Sequence, residues 1–184
     1  MTIQKFYVDR KIADFSQVSA ISRRLDLPSE IVSDPQEVYD IVLAADDPVK
    51  KGKTVLFLTY NRGAFIKNCP GTRSYECCGY QILNIGNFCH MDCTYCILQC
   101  YFHPPVLQYF VNHNDLFQEL ESIFADDKIH RLGTGEFTDS LIWEMWTDLS
   151  ARLVPAFAAQ NSAVLELKTK TTAIDRLEKL SHNR

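Results

Sequence analysis

No stretch of this sequence is apolar for long enough to span a bilayer, and the opening Met1-Thr-Ile-Gln-Lys-Phe-Tyr-Val-Asp-Arg10 has no apolar segment behind a basic start. A membrane span and an export signal are therefore not expected, and the chain is expected in the cytoplasm. Neither sign of charge dominates. Nineteen basic against twenty-three acidic residues leave a formal charge of -4, which gives no global electrostatic ground for a nucleic-acid partner and leaves only a local basic groove open. No repeat, low-complexity tract or Gly/Ser linker divides the chain. Cysteine is missing after Cys100, and all seven cysteines crowd between Cys69 and Cys100. An odd, crowded set without an export signal reads as metal ligands or core thiols rather than as a disulfide framework. With 184 residues, 46% of them hydrophobic, the chain can bury one core, or one core and a small appendage.

The pattern along the chain predicts an α/β protein. Residues 1–78 read as a small α/β region. Its helices start at Asp14-x-x-Gln17 and at Asp34-Pro35-x-Glu37, and its extended segments are Phe6 to Val8 and Thr54 to Tyr60. Over residues 79–184 strand and helix signals alternate, as in a parallel sheet with helices outside it. Gln81 to Ile85, Ile129 to Leu132 and Ala163 to Leu167 are the expected strands. The expected helices begin near Asp115, near Ser140 and at Thr172, the second with the stripe Leu141, Ile142, Met145, Trp146, Leu149 and Leu153. Three βα units cannot close a barrel, so an edge strand is expected on the C-terminal side.

In Phe88-Cys89-His-Met-Asp-Cys93-Thr-Tyr-Cys96 three thiols fall within eight residues, after an expected strand, where α/β sheets place their ligands. Thiolates suit iron-sulfur clusters, zinc or Cu(I). A four-iron cluster with three protein ligands keeps one iron open to a substrate, as a three-ligand catalytic zinc keeps a place for water.

The C-x3-C-x2-C spacing, with Tyr95 before the third cysteine, resembles the signature of the radical S-adenosylmethionine superfamily. Within it the chain resembles the spore photoproduct lyase family. The matching segments are Cys69-Pro-Gly-Thr72, Tyr75-x-Cys77-Cys78-x-Tyr80, Asp92 to Gln99 and Arg131-x-Gly-Thr-Gly-Glu136-x-x-Asp139-Ser140-Leu141, together with the opening Tyr7-Val-Asp-Arg10. The resemblance implies a partial (βα) barrel of radical SAM type, of which this chain holds the first half, since the family's barrel continues beyond the position of Arg184. It implies a 4Fe-4S cluster on Cys89, Cys93 and Cys96, S-adenosylmethionine as cofactor, and a reductant such as flavodoxin or ferredoxin. Reductive cleavage of the sulfonium then gives a 5'-deoxyadenosyl radical that abstracts hydrogen from a substrate the sequence does not name. By the same resemblance Tyr95 lies near the adenine, Gly133, Gly135 and Glu136 match the segment that binds the methionine amino group, and Lys170 matches a lysine that reaches the cofactor. Photoproduct lyases return a hydrogen atom from a cysteine after the second strand. Thr134 stands at about that place here, which argues against repair of the spore thymine lesion.

Other readings of the same residues stay open. The three cysteines make a structural zinc site if His90, Cys100 or His103 is the fourth ligand, and Cys100 closes a fully ligated, non-catalytic cluster if it takes the last iron. Cys69, Cys77 and Cys78 read as core thiols. Gly52-Lys53-Thr54 resembles the end of a phosphate-binding loop but precedes a strand, and is set aside.

Overall fold

The computed structural model describes residues 2–182. They form two compact units that interleave along the chain, the first built from residues up to 62 with 85–112 and the second from 63–84 with those from 113 onward. The sequence reading divides the chain at 78/79 instead.

The first unit opens with β1 (Lys5–Asp9), α1 (Ser16–Leu25), β2 (Glu30–Val32), α2 (Pro35–Leu43), α3 (Pro48–Gly52) and β3 (Val55–Thr59). Local chemistry accounts for α2. The Asp34 carboxylate accepts from the Gln36 amide at 2.9 Å while Glu37 Oε1 accepts from the Asp34 amide at 3.0 Å, and Pro35 occupies the first turn, where its missing N–H costs nothing. α1 differs from expectation: it starts after Phe15 with no side-chain cap, so Asp14 is not used. All five residues of β3 are buried, as in a central strand covered on both faces.

The chain then enters the second unit for β4 (Ile66–Asn68) and β5 (Tyr80–Leu83), and returns to the first for β6 (Gly86–Asn87), α4 (Leu98–Tyr101) and β7 (Leu107–Phe110). The first sheet has the order β2-β1-β3-β7-β6, parallel except for the last pair, with Phe57 opposite Tyr7 on one side and Gln108 on the other. Its core gathers Tyr7, Val38, Val42, Val55, Phe57 and Val106. β7 has no counterpart in the sequence reading, which expects no strand between the cysteine loop and the helix near Asp115. The expected strand Gln81 to Ile85 is also shorter, and the cysteine loop follows β6 of the first unit instead.

The second unit closes with α5 (His113–Phe124), β8 (His130–Gly133), α6 (Leu149–Ala158) and β9 (Ala163–Glu166). Its sheet runs β4-β5-β8-β9, with β5, β8 and β9 parallel and β9 at the edge, the arrangement expected for the three strands of the βα units. α5 buries Leu116 and Leu120, and its Glu119 accepts from the amides of Phe65 and Ile66 at 2.8 Å each, fixing the start of β4. Two expected helices are cut short. Between Ser140 and Trp146 the chain runs in turns, and helix begins only at Leu149. The Asp139 carboxylate accepts from the Leu141 amide at 2.9 Å, and short turns follow through Glu144 N to Leu141 O and Trp146 N to Trp143 O. Leu141, Ile142 and Trp146 are buried as the stripe predicts, but Met145 is 71% exposed. The helix expected from Thr172 shrinks to one turn at Leu177–Lys179. Arg176 there donates to the carbonyls of Thr147 and Glu144, at 2.5 and 3.3 Å, and tethers the segment in place of a helical ladder.

Replacing Asp34 with Ala removes the carboxylate that accepts from the Gln36 amide and leaves the Glu37 half of the box, which takes the backbone amide of residue 34, in place. The expected loss is about 1 kcal/mol, read as a lower midpoint in urea unfolding.

Candidate functional site

The cysteine loop lies in the first unit and is held at its ends. Phe88 leaves β6 with a φ of 67°, a conformation a bulky residue rarely adopts, and its ring is fully buried. That ring meets Phe102, beyond the loop, edge to face at 6.3 Å. Cys89 is 9% exposed, while Cys93 and Cys96 are half-buried. The Met91 amide points at Cys89 Sγ, 3.5 Å away, and the Cys96 amide donates to the Cys93 carbonyl at 3.0 Å, a turn that brings those two cysteines to neighbouring positions. Gln99 Nε2 donates to the Cys93 carbonyl at 2.9 Å, and its Oε1 accepts from Lys53 Nζ at 3.3 Å. The same ammonium is paired with Asp92, whose carboxyl is held below its ordinary pKa by that hydrogen bond and by the lysine's charge. Tyr95 is 75% exposed, so its ring is available to a flat ligand.

Among the described residues, no three His, Cys, Asp or Glu side chains already converge as a metal site. The donor set still fits the implied group. Three free thiols lie on one short irregular loop whose ends are anchored, and thiolates are what an iron-sulfur cluster takes from protein. Cys100 is exposed on α4, just past this set.

The other expected residues lie in the second unit, at the ends of β8 and β9. Gly133 closes β8 without a left-handed backbone. A Cβ there would sit 1.9 Å from the Tyr80 hydroxyl, and one on Gly135 would sit 2.6 Å from Lys168 Cβ and 2.9 Å from Ser140 Oγ. Packing within the unit therefore accounts for both glycines. Tyr80 is buried, and its hydroxyl oxygen meets no hydrogen-bond partner among the described residues. Burial pushes the phenol's pKa up, partly offset by Lys168, whose ammonium lies 4.3 Å from the ring centroid. Glu136 is half-buried and accepts from Lys168 at 3.3 Å. Lys170 is exposed, its position set by Asp139: one carboxylate oxygen accepts from the Thr169 hydroxyl at 2.9 Å and the other from the Lys170 amide at 2.5 Å.

The structure thus gathers Cys89, Cys93, Cys96 and Tyr95 on one loop, and Gly133, Gly135, Glu136 and Lys170 around two adjacent strand ends. Thr134 is 2% exposed and donates to Ser140 Oγ at 2.8 Å. Cys77 and Cys78 are exposed and Cys69 is half-buried, so the core role expected of them is not met. Sequence reasoning passed over Lys53, Tyr80, Asp139 and Lys168. Asp139 and Tyr80 stood inside segments quoted for the resemblance, whereas Lys53 and Lys168 gave no signal that a partner distant in sequence would claim them.

No family model and no curated protein matches the sequence. Solved structures do match the fold. Spore photoproduct lyase complexed with dinucleoside spore photoproduct superposes with a TM-score of 0.80 at 18% identity, over 99% of this chain and 54% of that one. A variant of the same enzyme with bound AdoMet and dinucleoside spore photoproduct gives 0.79 at 18% identity, over 100% and 54%. The chain therefore shares the mixed α/β fold of those structures, and spans about half the length of the chains it matches.

If Tyr80 is what requires glycine at 133, the two positions are coupled. Gly133→Ala alone should cost about 1–3 kcal/mol through overpacking, and the penalty should nearly vanish in a Tyr80→Ala background. Urea unfolding of the four proteins of that cycle, without cofactors, reads the coupling. A penalty that persists when Tyr80 is gone would mean that something else crowds Gly133.

Proposed function

We propose that Cys89, Cys93 and Cys96 hold a 4Fe-4S cluster with one open iron, and that the chain forms part of a radical enzyme that cleaves S-adenosylmethionine. When bound, the cluster supplies one electron to the sulfonium, so that a carbon-sulfur bond breaks and a 5'-deoxyadenosyl radical is released to abstract hydrogen from the substrate. The observation that carries this reading is a three-thiol loop, anchored at both ends, in a chain whose whole length follows the fold of an enzyme solved with AdoMet bound.

The chain's own residues take distinct parts. The three cysteines give up their thiol protons on binding iron. Tyr95 offers an exposed ring for stacking on a base. Glu136 carries the negative charge suited to the methionine ammonium, and Lys168 competes for it. Lys170, whose backbone amide Asp139 holds, offers a cation to a carboxylate or ribose hydroxyl. A reductant of the flavodoxin or ferredoxin class provides the electron.

Repair of a thymine photoproduct is a narrower reading, resting on the neighbours' names alone. A buried Thr134 hydroxyl already engaged with Ser140 is poorly placed to return a hydrogen atom. The substrate is better described as a compound with an abstractable C–H bond. A closed, non-catalytic cluster competes through Cys100, which stands exposed beside the loop.

Anaerobic reconstitution with iron and sulfide, then dithionite and S-adenosylmethionine, should yield 5'-deoxyadenosine. Single Ala replacements at Cys89, Cys93 or Cys96 should abolish it, and Cys100→Ala should leave it intact. A cluster that disappears with Cys100, or whose electron paramagnetic resonance spectrum ignores added S-adenosylmethionine, would remove the open-iron chemistry.

A further inference from the structure

We infer that Gly52 and Lys53, at the junction of α3 and β3, form the clamp that sets the shape of the cysteine loop, with Lys53 as a positioning residue for the cluster. The inference rests on the cluster reading above and deepens it. The Lys53 side chain is 2% exposed, and its ammonium meets two loop residues, Asp92 immediately before Cys93 and Gln99 three places after Cys96. Gln99 passes the restraint on, since its amide donates to the Cys93 carbonyl at 2.9 Å. Gly52 holds the loop's exit. A Cβ there would lie 1.6 Å from the Pro105 carbonyl oxygen, so only glycine lets that backbone lie against the end of α3. Two adjacent residues thus fix the chain at Asp92, Gln99 and Pro105.

The plainer reading is an ion pair that merely stabilises the first unit. Energetics speak against it. A lysine is almost never buried without a partner, and the desolvation of a buried ammonium is repaid poorly, so an apolar side chain of the same length would serve the core as well or better. Asp92 is 70% exposed and contributes little to any core. What the lysine supplies and an apolar residue does not is a fixed location for Asp92 and Gln99, and through them for the backbone carrying Cys93 and Cys96.

Lys53→Met and Asp92→Ala separate the two readings, the first removing the buried ammonium and the second the exposed carboxylate it holds. In the protein without iron, hydrogen-deuterium exchange over residues 88–102 should accelerate about tenfold in both variants, the size expected for losing a hydrogen bond to a charged group. Exchange in β1 and β3 should not change, and the thermal midpoint of Lys53→Met should hold or rise. After anaerobic reconstitution both variants should lose iron on gel filtration under conditions where the wild type keeps it. Loop exchange equal to wild type in both variants overturns the clamp. So does acceleration spread over the whole first unit, because that is the signature of a purely structural pair. Should the wild type take up no iron-sulfur cluster at all, the cluster reading fails by itself, while the exchange comparison still decides whether Lys53 orders the loop.

Discussion

A loop that offers three sulfur atoms to a metal cannot spend its backbone on a sheet ladder, so its order must come from side chains at its ends. In this protein the constraint is met by groups from outside the loop. The Phe88 ring is pressed into the first unit and faces Phe102, and the buried Lys53 ammonium reaches Asp92 and Gln99. The left-handed backbone at Phe88 fits the same picture. Such a conformation costs roughly 1–3 kcal/mol, and burial of a large aromatic ring is of the right size to hold it there. The strand β7, which returns from the loop and pairs with β3, carries this anchorage into the middle of the sheet.

The second unit shows a related economy at the ends of β8 and β9. Glycines at 133 and 135 invite the reading of a bare backbone left open for a ligand. The structure fills the space beside both, with Tyr80 over one and Lys168 and Ser140 over the other. The charged groups there are arranged by fixed neighbours. Asp139 uses both carboxylate oxygens on Thr169 and Lys170 while also turning the chain at Leu141. A ligand at these strand ends would meet an anion at Glu136, beside Lys168, and a cation at Lys170, whose backbone amide Asp139 holds.

How much of this was legible in the sequence depends on the range of the interaction concerned. The capping box at Asp34, the strands β1, β3, β8 and β9 and the helix α5 all follow from signals within a few residues, and the structure has them near the expected bounds. The stripe from Leu141 to Trp146 has helical spacing and is mostly buried, yet it is not a helix. Periodicity records which side chains go inside, and here Asp139 bends the backbone before the ladder can form. The turn at 172–180 was misread because Arg176 finds acceptors at Glu144 and Thr147, about thirty residues away in the chain. Lys53 is the sharpest case. Its context resembled a damaged phosphate loop, while its actual partners lie 39 and 46 positions on. The cysteines were legible because metal ligands must be clustered and of one chemical kind, and that constraint is written locally.

The regular and irregular parts of this chain are therefore held by different forces. Strands and helices rest on apolar contact, as in the core of Tyr7, Val38, Val42, Val55, Phe57 and Val106. Three of the segments that bear no ladder, the cysteine loop, the strand-end turn after Leu167 and the stretch around Arg176, rest on buried or half-buried charge: Lys53, Asp139 and Glu144 are each under 10% exposed. Ionic groups are a costly way to stabilise a fold, because desolvation cancels most of the attraction. Their advantage is direction. A carboxylate or an ammonium holds a partner at a defined atom and angle, whereas apolar contact fixes only proximity. Two of these three charge-held segments carry candidate ligands, Cys93 and Cys96 on one and Lys170 on the other, and there exact placement counts for more than stability.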